Sequence, residues 1–259
     1  MDTTQPLTRR GLLRLAAGIA ATATLTPALA YARTPRQMEG PFYPTPEQLA
    51  LRVGALRDND LTRVPGMTRD ALGEALLITG VVREPRGRPL RGAVVEIWQA
   101  CDSGRYLASK DRRRSRQHDP GFQYFGVCPV DRDGHFAFRT IRPPAYPAGV
   151  IPGWVRPPHI HVRVRHTDLP DFVTQLYWDD PSDPQRIENR RLQRKDLLIR
   201  KVAASRRDKL IRPVELAAPR GVTLASFDGF SLGSFGGSTL DAPRRLHFPI
   251  ELAQDLYMP

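Results

Sequence analysis

Hydrophobic residues along this chain occur in short runs that end at turn-forming residues, and long amphipathic helical periods are rare. Runs rich in β-branched and aromatic residues cover positions 75–82, 93–98, 135–139, 159–165 and 172–178. Turn signals such as Asp131–Gly134 separate them. Many short strands with frequent turns are typical of a β-sandwich, so the pattern predicts an all-β fold with a β-sandwich core.

The first two runs predict a β-hairpin. They are joined by the turn sequence Pro85–Pro89, which suits a loop of medium length between two antiparallel strands. We therefore expect residues 75–82 to pair with residues 93–98.

Segments outside the strand-like runs have little periodicity. Residues 31–74 are interrupted by prolines and predict an extended N-terminal arm with one short helical turn. Residues 185–212 are the best helix candidate, with a charged loop as the alternative. The sandwich domain is expected to occupy residues 75–259, and its C-terminal region is expected to be rich in loops because of closely spaced glycines at Gly229, Gly233, Gly236 and Gly237.

Residues 1–30 have the pattern of an export signal. An arginine pair at positions 9 and 10 precedes a weakly apolar stretch, and Ala28–Ala30 forms a small-x-small cleavage pattern. This resembles a twin-arginine signal, so we expect export to the periplasm or the extracellular space. Threonines and a proline make the stretch a poor permanent membrane span, although an uncleaved anchor is the alternative.

Composition excludes two broad classes of protein. With 41% hydrophobic and 25% charged residues among 259, the chain is neither wholly disordered nor a polytopic membrane protein. Its 25 prolines, about twice the usual share, disfavour long helices and suit short strands and loops.

The formal net charge is +12, and much of it lies in residues 186–212, which hold eleven Arg or Lys residues. No aromatic residue falls between Trp178 and Phe227, so the stacking platforms of single-strand binders are absent there. We interpret the basic segment as a solvated face or a partner surface, with polyanion binding as the alternative, and we expect no nucleic-acid partner.

Two cysteines, Cys101 and Cys128, are too few for a disulfide scaffold or a cysteine-only metal site. An oxidising compartment makes a bridge between them conceivable. Two buried free thiols are an equal alternative.

The sequence His159-Ile160-His161 is the strongest metal-binding candidate. In a strand, residues i and i+2 project to the same face, so both imidazoles can point at one ion. No acidic residue follows in positions 162–167, so a hard anionic ligand has to come from elsewhere. Tyrosine qualifies, because a phenolate is an oxygen donor that ligates iron in some proteins, and Tyr106 and Tyr146 are the candidates.

Short motifs follow one another in a specific order between about residues 39 and 180. They are Glu39–Pro44, Val95–Ala100, Gly104–Tyr106, Asp133-Gly134, Phe138–Ile141, Tyr146-Pro147, Arg156–His161 and Thr174–Tyr177. In this order they resemble the intradiol ring-cleavage dioxygenases, nearest to the protocatechuate 3,4-dioxygenase branch.

The resemblance implies a cofactor and an activity. The cofactor is non-haem Fe(III), and the positions that match its ligands are Tyr106, Tyr146, His159 and His161. The activity is cleavage of a catechol-type ring by O2 between the two hydroxyl-bearing carbons, which gives a cis,cis-muconate-type diacid. The substrate is then a small aromatic diol.

It also implies roles for individual residues. Tyr146 leaves the metal and acts as a base, and Arg156 stabilises negative charge on the ring. Phe42, Tyr43 and Gln175 lie near the substrate. The alternative function is a noncatalytic exported β-sandwich that binds a metal, a sugar or a protein partner, and a homo-oligomer is one option for the quaternary state.

Three segments depart from the family pattern, and the resemblance fades beyond about residue 180. The departures are Cys101–Ser103, the basic stretch Arg112–His118, and an insertion at Gln123–Phe125. Because such loops shape a pocket, the identity of the ring substituent stays open. The remaining histidines have no motif context and are interpreted as surface or packing residues: His118, His135, His166 and His247.

Overall fold

The computed structural model describes residues 33–50, 58–113, 115–149, 151–216 and 244–253. The predicted export signal and the closely spaced glycines from Gly229 to Gly237 lie outside these ranges, so both stay predictions. Within the described residues no helix is long and apolar enough to cross a membrane.

Strands dominate the described residues. The strands are β1 (Ala75–Arg83), β2 (Val94–Trp98), β3 (Phe125–Pro129), β4 (His135–Ile141), β5 (Tyr146–Pro147), β6 (Val155–Arg156), β7 (Ile160–His166), β8 (Leu169–Asp179), β9 (Ile211–Leu216), β10 (Arg244–His247) and β11 (Ile250–Glu251). The helices are α1 (Pro46–Ala50), α2 (Arg186–Lys195) and α3 (Leu197–Arg200), and a 3-10 turn spans Ala204–Lys209. The prediction of an all-β fold is confirmed.

A continuous hydrogen-bonded sheet follows the order β11-β1-β10-β9-β8-β7-β2-β3, with β4 also paired to β1. Its two halves meet through the parallel pair β8 and β9 and pack their apolar faces against each other, which makes a sandwich. One buried cluster joins side chains of both halves, among them Ile78, Phe138, Leu246, Val95, Val162 and Phe172.

The predicted hairpin between the first two runs is wrong. Strand β1 pairs with β4, from Ala75 opposite Ile141 to Val81 opposite His135, whereas β2 lies between β3 and β7. The turn itself is closed by the bridge from Arg83 to Pro89 and by backbone hydrogen bonds from Glu84 N–H to Arg88 O at 2.8 Å and from Leu90 N–H to Val82 O at 3.0 Å. Beyond this turn β2 takes β3 and β7 as its partners, so the chain crosses from one half of the sandwich to the other.

The basic segment 185–212 is neither one helix nor a charged loop. Helix α2 ends at Lys195, because Asp196 adopts an extended backbone conformation with φ −63° and ψ 126°. The Asp196 side chain then starts α3 by accepting hydrogen bonds from the backbone N–H groups of Leu198 and Ile199. The segment closes with the 3-10 turn and strand β9.

The N-terminal arm runs along the sandwich. Thr34 N–H donates to Glu251 O at 2.9 Å, and Gln37 N–H donates to Val173 O at 3.0 Å. Helix α1 is the one short helical segment within its described part. Further along the arm, Phe42 stacks on Tyr106 with ring centroids 4.8 Å apart, so the arm reaches the side-chain cluster described below.

Cys101 and Cys128 are both buried, and both are free thiols. The structure therefore agrees with the alternative of two buried free thiols and not with a bridge between them.

Candidate metal centre and active site

Two histidines and two tyrosines come together where β7 begins. His161 lies in β7 and His159 immediately precedes it, with ring centroids 5.0 Å apart. Tyr146 lies in β5 and is paired with Arg156 of the neighbouring strand β6. Tyr106 comes from the long loop between β2 and β3, where Gly104, with a positive φ of 80°, completes the turn just before it.

The polar atoms of three of these side chains are in mutual contact. Tyr146 Oη lies 3.2 Å from Tyr106 Oη and 3.1 Å from His159 Nε2, and Tyr106 Oη lies 3.4 Å from the same nitrogen. His159 Nδ1 is 2.7 Å from the carbonyl oxygen of Pro157. Because a carbonyl only accepts, Nδ1 carries the proton and Nε2 presents its lone pair to the two phenols.

His161 has no such partner. Its ring is buried, and neither Nδ1 nor Nε2 has a hydrogen-bond partner. It stacks on Trp98 at a centroid distance of 4.8 Å and an interplanar angle of 15°. A Cβ atom on Gly40 would lie 3.5 Å from its Cε1 atom. A buried, unpaired imidazole is costly, and ligation of a metal ion would satisfy it.

The environment favours neutral forms of all four side chains. Burial raises the pKa of both tyrosines, and for Tyr106 the neighbouring Tyr146 raises it further. Burial and the positive charge of Arg156 lower the pKa of His159 and His161. Neutral imidazoles are the ligating form, whereas the phenols need a strong positive charge nearby to ionise.

A trivalent ion fits this donor set. Two phenolates and one hydroxide cancel the charge of Fe(III), which suits a buried site better than a residual charge does. Among the described residues no group of three or more His, Cys, Asp or Glu could hold a metal. A metal at this position would therefore depend on the tyrosine oxygens.

The backbone of Tyr106 is fixed by residues that the sequence did not single out. Its N–H donates to Asp111 Oδ2 at 2.8 Å, and its carbonyl accepts a hydrogen bond from His118 Nε2 at 2.9 Å. Asp111 also binds Arg113, whose guanidinium lies 4.5 Å from the centroid of the Tyr146 ring. Arg113 and His118 fall in the departing stretch Arg112–His118, and Asp111 immediately precedes it. None of the three lies in one of the quoted motifs.

Arg156 is buried beside the four side chains. Its Nε donates to Asp196 Oδ2 at 2.8 Å, and its Nη2 donates to Gln175 Oε1 at 2.6 Å and to Tyr177 Oη at 2.8 Å. Asp196 and Tyr177 were not among the predicted site residues. Tyr177 falls within a quoted motif, but Asp196 lies beyond the region where the resemblance was recognised.

The three predicted substrate-binding residues occupy different positions. Phe42 stacks on Tyr106 at 4.8 Å and lines the cluster. The Tyr43 ring packs edge-on against Trp98, with ring centroids 5.0 Å apart, and the Tyr43 hydroxyl donates a hydrogen bond to Glu96 Oε2 at 3.0 Å. Gln175 is completely buried, and its Nε2 donates to Met38 O at 2.9 Å while its Oε1 accepts from Arg156. In this structure Gln175 therefore holds the arginine and the arm.

Known sequences similar to this chain are dioxygenases. The sequence model of a family described as dioxygenases matches residues 39–217. The match continues past residue 180, so the resemblance extends further than the motifs indicated. The β chain of protocatechuate 3,4-dioxygenase from Burkholderia cepacia is 39% identical over 128 residues, which cover 49% of this chain and 53% of that protein. The chain thus spans about half the length of the curated relatives it matches.

Solved structures share the fold. The dioxygenase domain of a dioxygenase and carbohydrate-binding protein fusion from Streptomyces sp. SirexAA-E superposes with a TM-score of 0.50 at 25% identity, covering 85% of this chain and 97% of that domain. Catechol 1,2-dioxygenase from Acinetobacter sp. ADP1 gives a TM-score of 0.53 at 21% identity, covering 85% and 62%. At 21% identity, the second likeness concerns the fold alone.

Proposed function

Because the chain belongs to the intradiol ring-cleavage dioxygenase family, we propose that it binds non-haem Fe(III) and cleaves a catechol-type aromatic diol with O2. The bond between the two hydroxyl-bearing carbons breaks, and both atoms of O2 enter the product, a cis,cis-muconate-type diacid. Diol and O2 together contain the atoms of that diacid, so no further reductant is required.

One observation carries the proposal. Two buried phenols and a buried imidazole place their polar atoms within 3.1–3.4 Å of one another, beside a second imidazole whose nitrogens have no partner. His161 is thus a buried polar group without a protein partner, and a cation shared with the three clustered polar atoms would supply that partner. We propose Tyr106, Tyr146, His159 and His161 as the ligands.

Fe(III) held by these four side chains would supply a Lewis acid that makes the diol ring reactive toward O2. The chain's own side chains prepare that step. His159 keeps its Nε2 lone pair directed into the site through the bond from Nδ1 to Pro157 O. Tyr146 would act as the general base that accepts a proton from the diol at Oη.

Arg156 is the proposed electrostatic catalyst. Its guanidinium is buried next to the proposed ligands, where a positive charge acts more strongly than it does in water. Arg156 stabilises the negative charge that develops on the ring of the bound diol. Phe42, stacked on Tyr106, provides an apolar wall for the aromatic substrate.

Oxygen uptake by the iron-loaded full-length protein tests this function. The assay uses catechol, 3,4-dihydroxybenzoate, hydroxyquinol and larger plant-derived catechols, with ¹⁸O₂ to count the oxygen atoms in the product. We expect a coloured protein with ferric-phenolate absorption in the visible range, and incorporation of both oxygen atoms. His161→Ala is expected to lose colour and activity, and His135→Ala, at an exposed histidine of β4, is the matched control.

A protein that stays colourless and inactive with every diol after iron loading would contradict the proposal and favour a noncatalytic binding module. Incorporation of only one oxygen atom would indicate a different oxygenase reaction. Because relatives with similar sequences carry the names of protocatechuate, catechol and hydroxyquinol dioxygenases, the diol panel also identifies the preferred substituent.

We also propose that residues 1–30 direct export through the twin-arginine route, on the basis of the arginine pair at positions 9 and 10. That route carries folded proteins, which agrees with a metal acquired before export. Replacing both arginines by lysine should leave a reporter fusion in the cytoplasm. Export that is unaffected by the replacement would contradict this assignment.

A further inference from the structure

Asp196 is a buried carboxylate located between α2 and α3, and its side chain is completely inaccessible to solvent. Its Oδ1 accepts hydrogen bonds from the backbone N–H groups of Leu198 and Ile199, both at 3.0 Å. One carboxylate oxygen is therefore used to cap a four-residue helix.

The other oxygen reaches the proposed active site. Asp196 Oδ2 accepts the Nε–H of Arg156 at 2.8 Å, although 40 residues separate the two in sequence. Removing two charges from water is expensive, and a buried ion pair is often no more stabilising than apolar residues of the same volume. A contribution to fold stability is therefore a weak explanation for the buried ion pair between Arg156 and Asp196. Orientation of the Arg156 guanidinium is a sufficient explanation.

The remaining contacts fix the plane of the guanidinium. Nη2 of Arg156 donates to both Gln175 Oε1 and Tyr177 Oη, at 2.6 and 2.8 Å. With Nε and Nη2 held by three acceptors, the side chain cannot rotate about its last bond without losing charge-assisted hydrogen bonds. The proposed ligand Tyr146 lies opposite Arg156 in the β5–β6 register.

We infer that Asp196 is the positioning residue for Arg156, and that it holds the guanidinium in the orientation needed to stabilise the anionic ring of the bound diol. The inference rests on the proposed function. It assigns a role in catalysis to the segment formed by α2 and α3, which supplies none of the proposed metal ligands. The carboxylate links the start of α3 to the active site, so the orientation of the arginine depends on the integrity of this helix.

Substitutions can separate the capping role from the positioning role. Asp196→Ser keeps a side chain able to cap α3 but is too short to reach Arg156. Asp196→Asn is nearly isosteric, yet its amide nitrogen is a donor, and the three groups around it are all donors. Leu198→Ala is the matched control, because it weakens the packing of α3 and leaves the ion pair intact.

Steady-state kinetics of the iron-loaded variants provide the first measurement. For Asp196→Ser and Asp196→Asn we expect kcat to fall about 100-fold, the effect of losing one electrostatic donor, while KM changes less than about threefold and the visible spectrum stays that of the wild type. Leu198→Ala should lower the melting temperature and keep kcat within about threefold. A kcat that falls equally in Leu198→Ala and Asp196→Ser would overturn the inference, since helix stability would then explain both.

A second measurement needs neither metal nor turnover. In the ¹H–¹⁵N spectrum of the metal-free protein, the Nε–H of Arg156 should appear as a slowly exchanging, downfield resonance, which is assigned by its absence from Arg156→Lys. It should persist in Leu198→Ala and disappear or shift strongly in Asp196→Ser. An unchanged resonance in Asp196→Ser overturns the inference.

Wild-type protein that consumes no O2 with any diol overturns the proposed function itself, whereas uptake that survives Asp196→Ser unchanged overturns only the role of Asp196.

Discussion

The two imidazoles of the candidate site are held in different ways. His159 is oriented by a hydrogen bond from Nδ1 to Pro157 O at 2.7 Å, as metal-bound histidines usually are. His161 is oriented by stacking on Trp98, and its nitrogens have no protein partner. The second arrangement costs stability when no metal is bound, because a buried polar group is left unsatisfied.

A substitution at His161 should therefore improve stability while it removes function. In the metal-free protein, we expect His161→Leu to raise the free energy of unfolding by about 1 kcal/mol, since an unpaired polar ring is replaced by an apolar group. Chemical denaturation measures this change, and elemental analysis should find that the variant retains no iron. A loss of more than about 2 kcal/mol in the metal-free state would mean that the ring is needed for packing.

Tyr146→Phe tests the proposed displaced ligand. The ring and its contacts remain, but Oη is lost, so we expect oxygen uptake to fall by at least about 100-fold and the visible absorption to shift. Tyr43→Phe is the matched control, because its hydroxyl binds Glu96 behind Trp98. Unchanged turnover in Tyr146→Phe would remove Tyr146 from the ligand set, and a large rise in KM in Tyr43→Phe would support a substrate contact for Tyr43.

At the scale of elements, the shortest strands organise the site. Strands β5 and β6 contain two residues each, and their register sets Tyr146 opposite Arg156. Pairing of these strands couples a proposed ligand to the proposed electrostatic catalyst through the backbone. The sequence analysis predicted no strand at Tyr146, because a two-residue strand is too short to produce a periodic pattern.

Strand β1 is sensitive to a single added methyl group. A Cβ atom on Gly80 would meet Phe248 O at 2.2 Å and the Phe136 ring at 2.3 Å. We expect Gly80→Ala to lower the free energy of unfolding by about 1–3 kcal/mol through overpacking, as measured by urea denaturation. A Cβ atom added at Gly149 would meet nothing within 4 Å, and the backbone there has φ +77°. Gly149→Ala should therefore cost only the strain of a left-handed backbone conformation, about 1–2 kcal/mol. A Gly80→Ala variant that is as stable as the wild type would show that β1 can shift to make room.

At the scale of the whole molecule, buried ion pairs join distant segments. Asp180 follows β8, and it contacts Arg142 after β4 and Arg244 in β10. Burial alone would raise the pKa of Asp180, but hydrogen bonds from Ser182 and the charges of Arg244 and Arg142 outweigh burial and lower it. Asp111 behaves in the same way, because contacts with Arg113 and the Tyr106 N–H lower its pKa despite burial.

These shifts predict acid sensitivity. A carboxyl whose folded pKa is lowered contributes stability above its unfolded pKa, about 4, and that contribution is lost as the pH falls through the folded value. We expect the melting temperature of the metal-free protein to fall steeply below about pH 4. Asp180→Asn should be less stable at pH 7 and should show a shallower decline in acid. An identical slope in the variant and the wild type would exclude Asp180 as a contributor.

The sequence by itself determined the chemistry available and the class of fold. Turn signals and β-rich runs are local properties, so they predicted an all-β sandwich. The alternation of a strand is also local, so it predicted a shared face for His159 and His161. Tyr106 and Tyr146 were identified because they lie within ordered motifs.

Only the tertiary structure decided which distant residues meet. Strand β1 pairs with β4 and not with β2, both thiols stay free, and Asp196 reaches Arg156 from a segment without a motif. Each of these outcomes depends on a contact between residues far apart in the chain. Such contacts are selected by the packing of the whole sandwich, because side-chain shape and backbone hydrogen bonding must be satisfied together, and no local pattern records the result.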